Sequence, residues 1–319
     1  MVKRRPWWVY KRNAAADARA EAEKKARGGM DRWKPLPDSM HAKLKPVMVL
    51  MDAKRHGEAK EMAADFLEKN PKHRLGHAML IRIHGKLGEI GLSEHLFDHA
   101  MRKGMECWEM YCGMVDAYAS CGQFEKALQT IAEAEATGMG SAISYLHLMA
   151  GLYSEGEYGR IEKLYTEMPM KYQTKSSIIV KYADALRKMR RYDEAVELAT
   201  LALGMRGTLG DKATAKMVIA YSEIERGNPG KAYEVLCEIY ERLSAREDGG
   251  IGFRFYPRLI CGMVFACRRG MIPQPNPTIA HWRSTLETMR REGRGKESDV
   301  IDALRCLSRI PAPAAQHGL

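Results

Sequence analysis

The sequence predicts an all-α protein, a right-handed α-solenoid of about six to seven helix-turn-helix repeats with a 34-residue period, a basic N-terminal tail and atypical C-terminal helices. Three observations predict this fold class. The chain resembles itself at intervals of 34 residues, each copy holds two stretches of helical apolar spacing, and the composition suits helices. Aromatic residues make up only 8% of the 319 residues, whereas half-buried strands favour aromatic and β-branched side chains.

The period is clearest at the turn between the two helices of each copy. Stepping by 34 residues gives one turn position in five successive copies, namely Lys54, Gly88, Gly122, Gly156 and Arg190. Two residues later come His56, Ile90, Phe124, Tyr158 and Tyr192, and five residues later come Ala59, Ser93, Ala127, Ile161 and Ala195. A sixth copy has its turn at Gly227, displaced by 37 residues because a longer turn around residues 204–210 precedes it. These columns indicate stacked helical hairpins.

The third copy shows why the helices must stack. After its turn it reads "FEKALQTIAEA", in which Phe124, Ala127, Leu128, Ile131 and Ala134 share one face of a helix. Before the turn it reads "MYCGMVDAYASC", again with helical apolar spacing. A helix cannot bury one apolar face alone, so each is expected to pack on its hairpin partner and on the neighbouring copies.

Residues 1–37 are predicted to be a basic, aromatic extension with a short helix at about residues 13–27. Cations neutralise phosphates and aromatic rings stack on unpaired bases, so this mixture predicts a contact with RNA. The predicted RNA-binding residues are Lys3, Arg4, Arg5, Trp7, Trp8, Tyr10, Lys11 and Arg12. A disordered basic tail and an organellar targeting peptide are the alternatives, although Asp17, Glu21 and Glu23 count against a cleaved presequence.

Residues 244–319 depart from the repeat and are predicted to form an atypical capping repeat with C-terminal helices. An apolar helix is expected from Phe253 to Arg269, followed by helices in "TIAHWRSTLETMRREGRG" and "ESDVIDALRCLSRI". Four arginines are predicted to add a second phosphate-binding face, namely Arg254, Arg258, Arg268 and Arg269. Capping of the last repeat is the alternative explanation of this departure.

Charge divides along the chain in a similar way. The net charge of +11 combines +8 in residues 1–46 and +6 in residues 254–319 with −3 in residues 47–253. Anionic partners are therefore expected at the two ends. The middle of the chain, predicted as a repeat array over residues 38–243, is a poor groove for a polyanion.

Individual copies resemble two related repeat families. The third copy resembles a tetratricopeptide repeat (TPR) through Ala117, Tyr118, Gly122, Phe124, Ala127 and Ala134. In the first copy, Pro71 of "EKNP" stands where that family often has its proline. Copies three and four also resemble pentatricopeptide repeats (PPR), as in "SYLHLMAGLYSEGEYGRIEKLYTEM" and in the endings "RKGM" and "ATGM". The resemblances cover about residues 40–243 and imply a solenoid of helical hairpins.

The two families imply different partners. PPR proteins that read RNA place a polar residue, usually Asn, Ser or Thr, on the first helix of each repeat to contact one base. The corresponding column, nine residues before the turn, holds Met79, Gly113, His147 and Lys181. None is of the expected type, so the array is interpreted as the TPR-like kind, with a surface for a protein partner, rather than as a base-by-base reader.

Candidate metal ligands concentrate in and around the second copy, where the histidines are His73, His77, His84, His95 and His99. A spacing of four would place His73 with His77, and His95 with His99, on one helix face. No cysteine or acidic partner recurs at ligand spacing, so packing or surface histidines are favoured and no metal site is predicted.

No catalytic or phosphate-binding motif is present, so the chain is not expected to be an enzyme or to bind a cofactor or small-molecule substrate. Seven cysteines without a C-x-x-C pair favour free thiols in a reducing compartment. The N-terminus lacks the apolar segment of a secretory signal, and no apolar run reaches the roughly 18 residues of a membrane span, so membrane insertion is not expected.

The leading hypothesis is a scaffold component or assembly factor of a ribonucleoprotein particle such as the mitochondrial ribosome. The solenoid would bind proteins and the basic ends would bind RNA, with ribosomal RNA as the expected partner. A TPR adaptor without nucleic acid and a PPR-type organellar RNA-processing factor are the alternatives. A mitochondrial location is favoured, with the cytoplasm as the alternative.

Overall fold

A computed structural model describes residues 38–244, 252–270, 276–292 and 297–308. Within these ranges the chain forms sixteen helices and no strand, which confirms the predicted all-α solenoid. The helices are α1 Asp38–Asp52, α2 His56–Lys69, α3 Arg74–Lys86, α4 Ile90–Arg102, α5 Trp108–Ser120, α6 Phe124–Ala136, α7 Ala142–Ser154, α8 Tyr158–Glu167, α9 Met170–Gln173, α10 Ser176–Lys188, α11 Tyr192–Gly204, α12 Leu209–Glu225, α13 Pro229–Ser244, α14 Gly252–Gly270, α15 Asn276–Arg291 and α16 Glu297–Ser308.

The chain divides into two compact units, Met1–Lys45 and Pro46–Leu319. Of the first, the structure describes only residues 38–45, which form the beginning of α1. The second unit contains the rest of the repeat array and the C-terminal helices, and the following paragraphs concern it. The predicted domain boundaries at residues 37 and 243 remain predictions.

The helices of the second unit pack in two layers. The first helices of successive hairpins contact one another in the order α3, α5, α7, α10, α12 and α14. From α4 onward, each second helix packs on its own first helix and on the first helix of the next hairpin, as α4 does on α3 and α5. Among the described helices, no comparable packing joins successive second helices. The first helices therefore form a continuous inner row, as expected for stacked hairpins.

Every predicted turn position adopts the left-handed backbone conformation. The φ angle is 60° at Lys54, 78° at Gly88, 70° at Gly122, 79° at Gly156, 63° at Arg190 and 86° at Gly227. Glycine adopts this conformation without the steric cost that a Cβ atom imposes. What repeats every 34 residues is thus the left-handed backbone conformation of the turn. Lys54 and Arg190 adopt it with the steric strain of a Cβ atom, because they stand where the other turns have glycine.

Replacing Arg190 with glycine is expected to stabilise the fifth hairpin by about 1 kcal/mol, because the substitution removes the cost of a left-handed non-glycine residue. The matched control is Gly122→Ala. No atom lies within 4 Å of a Cβ built on Gly122, so only its φ of +70° opposes alanine. This control should lower the unfolding free energy by a similar amount. Urea unfolding measures both, and a destabilised Arg190→Gly variant would contradict the interpretation.

Small residues let the first helices approach closely. A Cβ atom on Gly85 of α3 would lie 2.3 Å from Cα of Ala117 in α5, far inside contact distance. One on Gly151 of α7 would lie 2.8 Å from the backbone oxygen of Ala119, again on α5. The row of first helices is therefore held at a spacing that admits no side chain at these glycines.

Two connections depart from the regular hairpin. In the fourth copy α8 ends at Glu167, and Pro169 leads into the single turn α9 before α10 begins. In the longer turn before the sixth copy, the Thr208 hydroxyl accepts a hydrogen bond from the Asp211 amide (3.1 Å). The Asp211 carboxylate accepts one from the Thr208 amide (2.9 Å), which completes a capping box. The extra residues that displace the sixth copy therefore lie in the turn between α11 and α12.

The C-terminal helices keep the packing of the repeats although their sequence departs from it. The predicted helix from Phe253 to Arg269 corresponds to α14, which packs on α12 and α13 as a seventh first helix would. The last helix within the described ranges, α16, packs on α14 and α15 and so takes the place of an eighth first helix. Trp282, Leu286 and Met289 of α15 are buried in this part of the core. In the part of the chain that the structure describes, no helix is long and apolar enough to cross a membrane.

Candidate functional site

The polar side chains of the inner row meet across the hairpins. Several repeat the 34-residue spacing, as Arg82 does with Asp116, and Tyr153 with Arg187 and Tyr221. They belong to α3, α5, α7, α10 and α12 and form two groups, which we call the Asp116 cluster and the tyrosine cluster. The Asp116 cluster contains Arg82, Lys86, Asp116, Ser120 and His147, and the tyrosine cluster contains Tyr153, Lys181, Asp184, Arg187 and Tyr221. Together they define the first-helix face.

Asp116 is a buried carboxylate that joins three hairpins. Its side chain is only 5% exposed. Arg82 Nε lies 2.9 Å from Oδ2 and Lys86 Nζ lies 2.8 Å from Oδ1, so both cations of α3 reach α5. His147 Nδ1 of α7 lies 3.4 Å from Oδ1. Lys86 also donates to the hydroxyl of Ser120 at 2.7 Å. This cluster holds α3, α5 and α7 in register.

Ionisation in the Asp116 cluster follows from its surroundings. Burial by itself would raise the pKa of Asp116, but His147, Arg82 and Lys86 lower this pKa to about 2. Burial lowers the pKa of His147 to about 4, although the Asp116 carboxylate opposes that shift. Near neutral pH, His147 is therefore uncharged, and the two cations Arg82 and Lys86 outweigh the single negative charge of Asp116.

The tyrosine cluster combines cations with aromatic rings. Arg187 Nη2 lies 2.7 Å from Asp184 Oδ1, and the Arg187 guanidinium lies 5.4 Å from the centroid of the Tyr221 ring. Lys181 Nζ lies 4.1 Å from the centroid of the Tyr153 ring, a cation–π distance. Burial lowers the pKa of Lys181, an effect that Asp184 opposes. This half of the first-helix face therefore carries more positive charge than Asp184 can balance.

The column nine residues before each turn, where PPR proteins place a base-reading side chain, lies largely inside the protein. Met79 is 3% exposed. A Cβ on Gly113 would lie 2.7 Å from the backbone oxygen of Ala78, so no side chain fits there. His147 and Lys181 belong to the Asp116 and tyrosine clusters. The first two positions of the column cannot present a polar group to a nucleotide.

The predicted RNA-binding residues are only partly described. Lys3, Arg4, Arg5, Trp7, Trp8, Tyr10, Lys11 and Arg12 lie outside the described residues, and so do the side chains of Arg254 and Arg269. Arg258 and Arg268 are exposed on α14, about 15 Å apart along the helix axis. Arg258 Nε lies 3.4 Å from Asp299 Oδ2 of α16. A phosphate-binding role for these residues stays a prediction.

The histidines at ligand spacing form two pairs, each one helical turn apart. His77 lies one turn after His73, which is the N-cap of α3. His73 Nδ1 accepts a hydrogen bond from the Gly76 amide at 3.0 Å. His77 Nε2 lies 2.8 Å from the Pro71 carbonyl oxygen. His95 and His99 lie one turn apart on α4, with stacked rings 6.5 Å apart.

No group of three or more potential metal ligands comes together within the described ranges. All seven cysteines lie in those ranges, and each is a free thiol. Burial raises the pKa of Cys107 to about 12, which keeps this thiol protonated. The arrangement offers charged and aromatic groups for binding.

Comparison with known proteins supports the repeat type. The family model of the PPR repeat matches residues 109–136, which span the helical hairpin of α5 and α6. The chain is a helical repeat protein of the TPR/PPR-like kind. No curated protein matches the sequence of this repeat protein.

Two solved structures are similar to this repeat protein in part. One is a tetratricopeptide repeat protein from Parabacteroides merdae ATCC 43184, with 12% sequence identity and a TM-score of 0.47, covering 85% of this chain and all of that one. The other is Naa15/Naa10 bound to HypK-THB, with 15% identity and a TM-score of 0.33, covering 85% of this chain and 39% of that one. Neither likeness bears on function at these levels of similarity.

Proposed function

We propose that this repeat protein is a non-catalytic scaffold of a ribonucleoprotein particle such as the mitochondrial ribosome, as a structural component or an assembly factor. In this proposal the repeat array binds proteins, and the basic ends bind RNA, specifically ribosomal RNA. The mitochondrial matrix is the proposed compartment, with the cytoplasm as the alternative.

The observation that carries the proposal is the division of charge. Residues 1–46 carry +8 and residues 254–319 carry +6, against −3 between them. Within the array, Arg82 and Lys86 are paired with Asp116, and Arg187 is paired with Asp184. Cations that already contact carboxylates gain little from a phosphate, so RNA is expected at the ends.

The array suits a protein partner for a complementary reason. Its first-helix face mixes charges, tyrosine rings and packed small residues, and it is held rigid by close contacts between the helices. A rigid surface with aromatic anchors binds a partner at a low entropic cost. PPR-type reading of successive bases is disfavoured, because Met79 is buried and no side chain fits at Gly113.

Deleting residues 1–12 tests the proposal. We expect the full chain to sediment with a ribonucleoprotein particle in native extract, and the shortened chain to remain folded but to lose that association. A second variant, with glutamine at Lys3, Arg4, Arg5, Lys11 and Arg12, should reduce the salt dependence of RNA binding, lowering the log–log slope by about 4. Glutamine at Arg102 and Lys103, both exposed on or beside α4, is the control and should change neither result.

The results also separate the adaptor alternative. If the shortened chain still sediments with the particle, the tail is not the RNA contact and the proposal fails. If the full chain is recovered with the same proteins after complete nuclease digestion, and no RNA accompanies it, the adaptor without nucleic acid is the better account.

A further inference from the structure

Two cysteine thiols face each other where α16 packs on α14. Cys261 lies on α14 and Cys306 lies on α16, 45 residues later in the sequence, and both side chains are half-buried. Their Sγ atoms are 2.8 Å apart. Side chains that only pack on each other approach to about 4 Å, whereas the two sulfur atoms of a disulfide lie about 2.05 Å apart. The two thiols are therefore placed for a covalent bond.

Other cysteines of the chain are placed differently. Cys107, Cys112 and Cys267 are buried in the core, where a reagent in solvent does not reach them. Cys237 is half-buried, but its thiol donates to the thioether sulfur of Met263 at 3.8 Å, and a thioether forms no disulfide. The pair on α14 and α16 combines contact between two thiols with access from solvent.

We propose that Cys261 and Cys306 form a reversible disulfide that fixes α16 on α14 under oxidising conditions. The oxidant is a low-molecular-weight disulfide such as glutathione disulfide. The thiolate of one cysteine attacks a sulfur of this oxidant, the S–S bond of the oxidant breaks, and one small thiolate leaves. The second cysteine loses its proton and attacks the protein sulfur of the mixed disulfide, and the second small thiolate leaves. Two protein thiols are oxidised, one small disulfide is reduced, and the two protons pass to the small thiolates.

The surroundings of the pair set the order of these steps. Burial raises the pKa of Cys261, and the neighbouring Cys306 thiol and Asp302 carboxylate raise this pKa further. Cys261 therefore stays protonated near neutral pH and is a poor first nucleophile. Cys306 makes the first attack, and its mixed disulfide then lies beside Cys261. Because the two residues are already in contact, the second step is intramolecular and favours the closed bond.

The bond has a mechanical consequence for the C-terminal helices. Val300, Ala303 and Leu307 of α16 are buried in the core that α14 and α15 share with it. Movement of α16 away from α14 would expose these side chains, and the disulfide opposes that movement. It also closes a loop between residues 45 positions apart, which restricts the unfolded chain. The inference goes beyond the proposed function and does not depend on it.

Oxidation of the purified full chain with glutathione disulfide tests the pair. After alkylation of the remaining thiols and digestion with trypsin, mass spectrometry should find the peptide of Cys261 linked to that of Cys306, and dithiothreitol should release the link. Cys261→Ser should lack the link and accumulate a mixed disulfide of Cys306 with glutathione. Cys267→Ser is the matched control, because Cys267 lies in the same tryptic peptide as Cys261, and this variant should keep the link.

Hydrogen exchange measures the effect of the bond on α16. In the oxidised wild type, the amides of α16 should exchange about 30-fold more slowly than in the reduced chain, because the disulfide opposes local opening. The Cys261→Ser variant should exchange at the same rate in oxidising and reducing buffer.

Each result decides for or against the proposal. A folded wild-type chain that forms no link, or that stops at the mixed disulfide, overturns it. A link that persists in Cys261→Ser, or that disappears in Cys267→Ser, assigns the bond to Cys267 and also overturns it. If Cys261→Ser fails to fold, Cys267→Ser decides alone, because Cys261 is then the one cysteine left in that tryptic peptide. Equal exchange of α16 in the oxidised and reduced wild type contradicts its fixation on α14.

Discussion

Replacing Gly85 by valine is expected to separate the second and third hairpins and to lower the free energy of unfolding by about 3 kcal/mol or more. A Cβ at this position would lie 2.3 Å from Cα and 2.4 Å from Cβ of Ala117. The obstacle is the backbone of α5, which cannot move aside as a flexible side chain would. The helices must therefore separate, and the Asp116 cluster beside them must lengthen its contacts.

Gly91→Val is the matched control, because no atom lies within 4 Å of a Cβ built on Gly91 of α4 in the same hairpin. It should change the unfolding free energy by less than about 1 kcal/mol. Urea unfolding gives the overall effect, and hydrogen exchange shows where it arises. Faster exchange confined to α3 and α5 is expected, because each hairpin of an array contacts only its neighbours. If Gly85→Val unfolds as the control does, the close approach of α3 and α5 is wrong.

Replacing Asp116 by alanine is expected to lower the free energy of unfolding by about 3 kcal/mol. The carboxylate is 5% exposed and contacts Arg82 and Lys86, both 32% exposed. Its removal leaves two neighbouring cations partly buried without a counter-ion. Ion pairs between exposed side chains contribute much less, so burial decides the size of the effect.

Asp193→Ala is the control, since Asp193 is 85% exposed and pairs with Arg226 at 3.0 Å. It should cost less than about 1 kcal/mol. The pKa of Asp116 is lowered to about 2 from an ordinary 3.8, so its stabilisation is complete above about pH 4 and is lost as the pH falls towards 2. The difference between wild type and Asp116→Ala should therefore be constant from pH 7 to pH 5, because Asp116 stays ionised and His147 stays uncharged in the folded protein over that range. Equal losses for Asp116→Ala and Asp193→Ala at pH 7 would contradict the role of the buried carboxylate.

Much of the fold follows from the sequence because the repeated feature is local. A turn between two helices needs a left-handed residue, and glycine supplies that geometry, so the column through Gly88, Gly122 and Gly156 marks the hairpins directly. The period alone also predicts the turn at Arg190, where glycine is missing. Local geometry repeated at a fixed interval is visible without knowledge of the neighbours.

The contacts between hairpins could not be predicted in the same way. In the contact of α3 with α5, Gly85 of the earlier helix packs on Ala117, whereas in the contact of α5 with α7 the glycine is Gly151 of the later helix and packs on Ala119. No single repeat position predicts where the glycine lies, because the distance between two helices depends on the residues of both. The burial of Asp116 is hidden from the sequence for a related reason. A charged residue in a helix ordinarily points to solvent, and here α3 and α7 bury it.

The central claim is that the array holds proteins while the basic ends hold RNA. Ultraviolet crosslinking of the full chain in native extract, followed by mass spectrometry of the adducts, tests this most directly. We expect nucleotide adducts within residues 1–12 and around residues 254–269, and peptide crosslinks along the first-helix face. Nucleotide adducts concentrated on α3, α5, α7 and α10, with none at either end, would contradict the account.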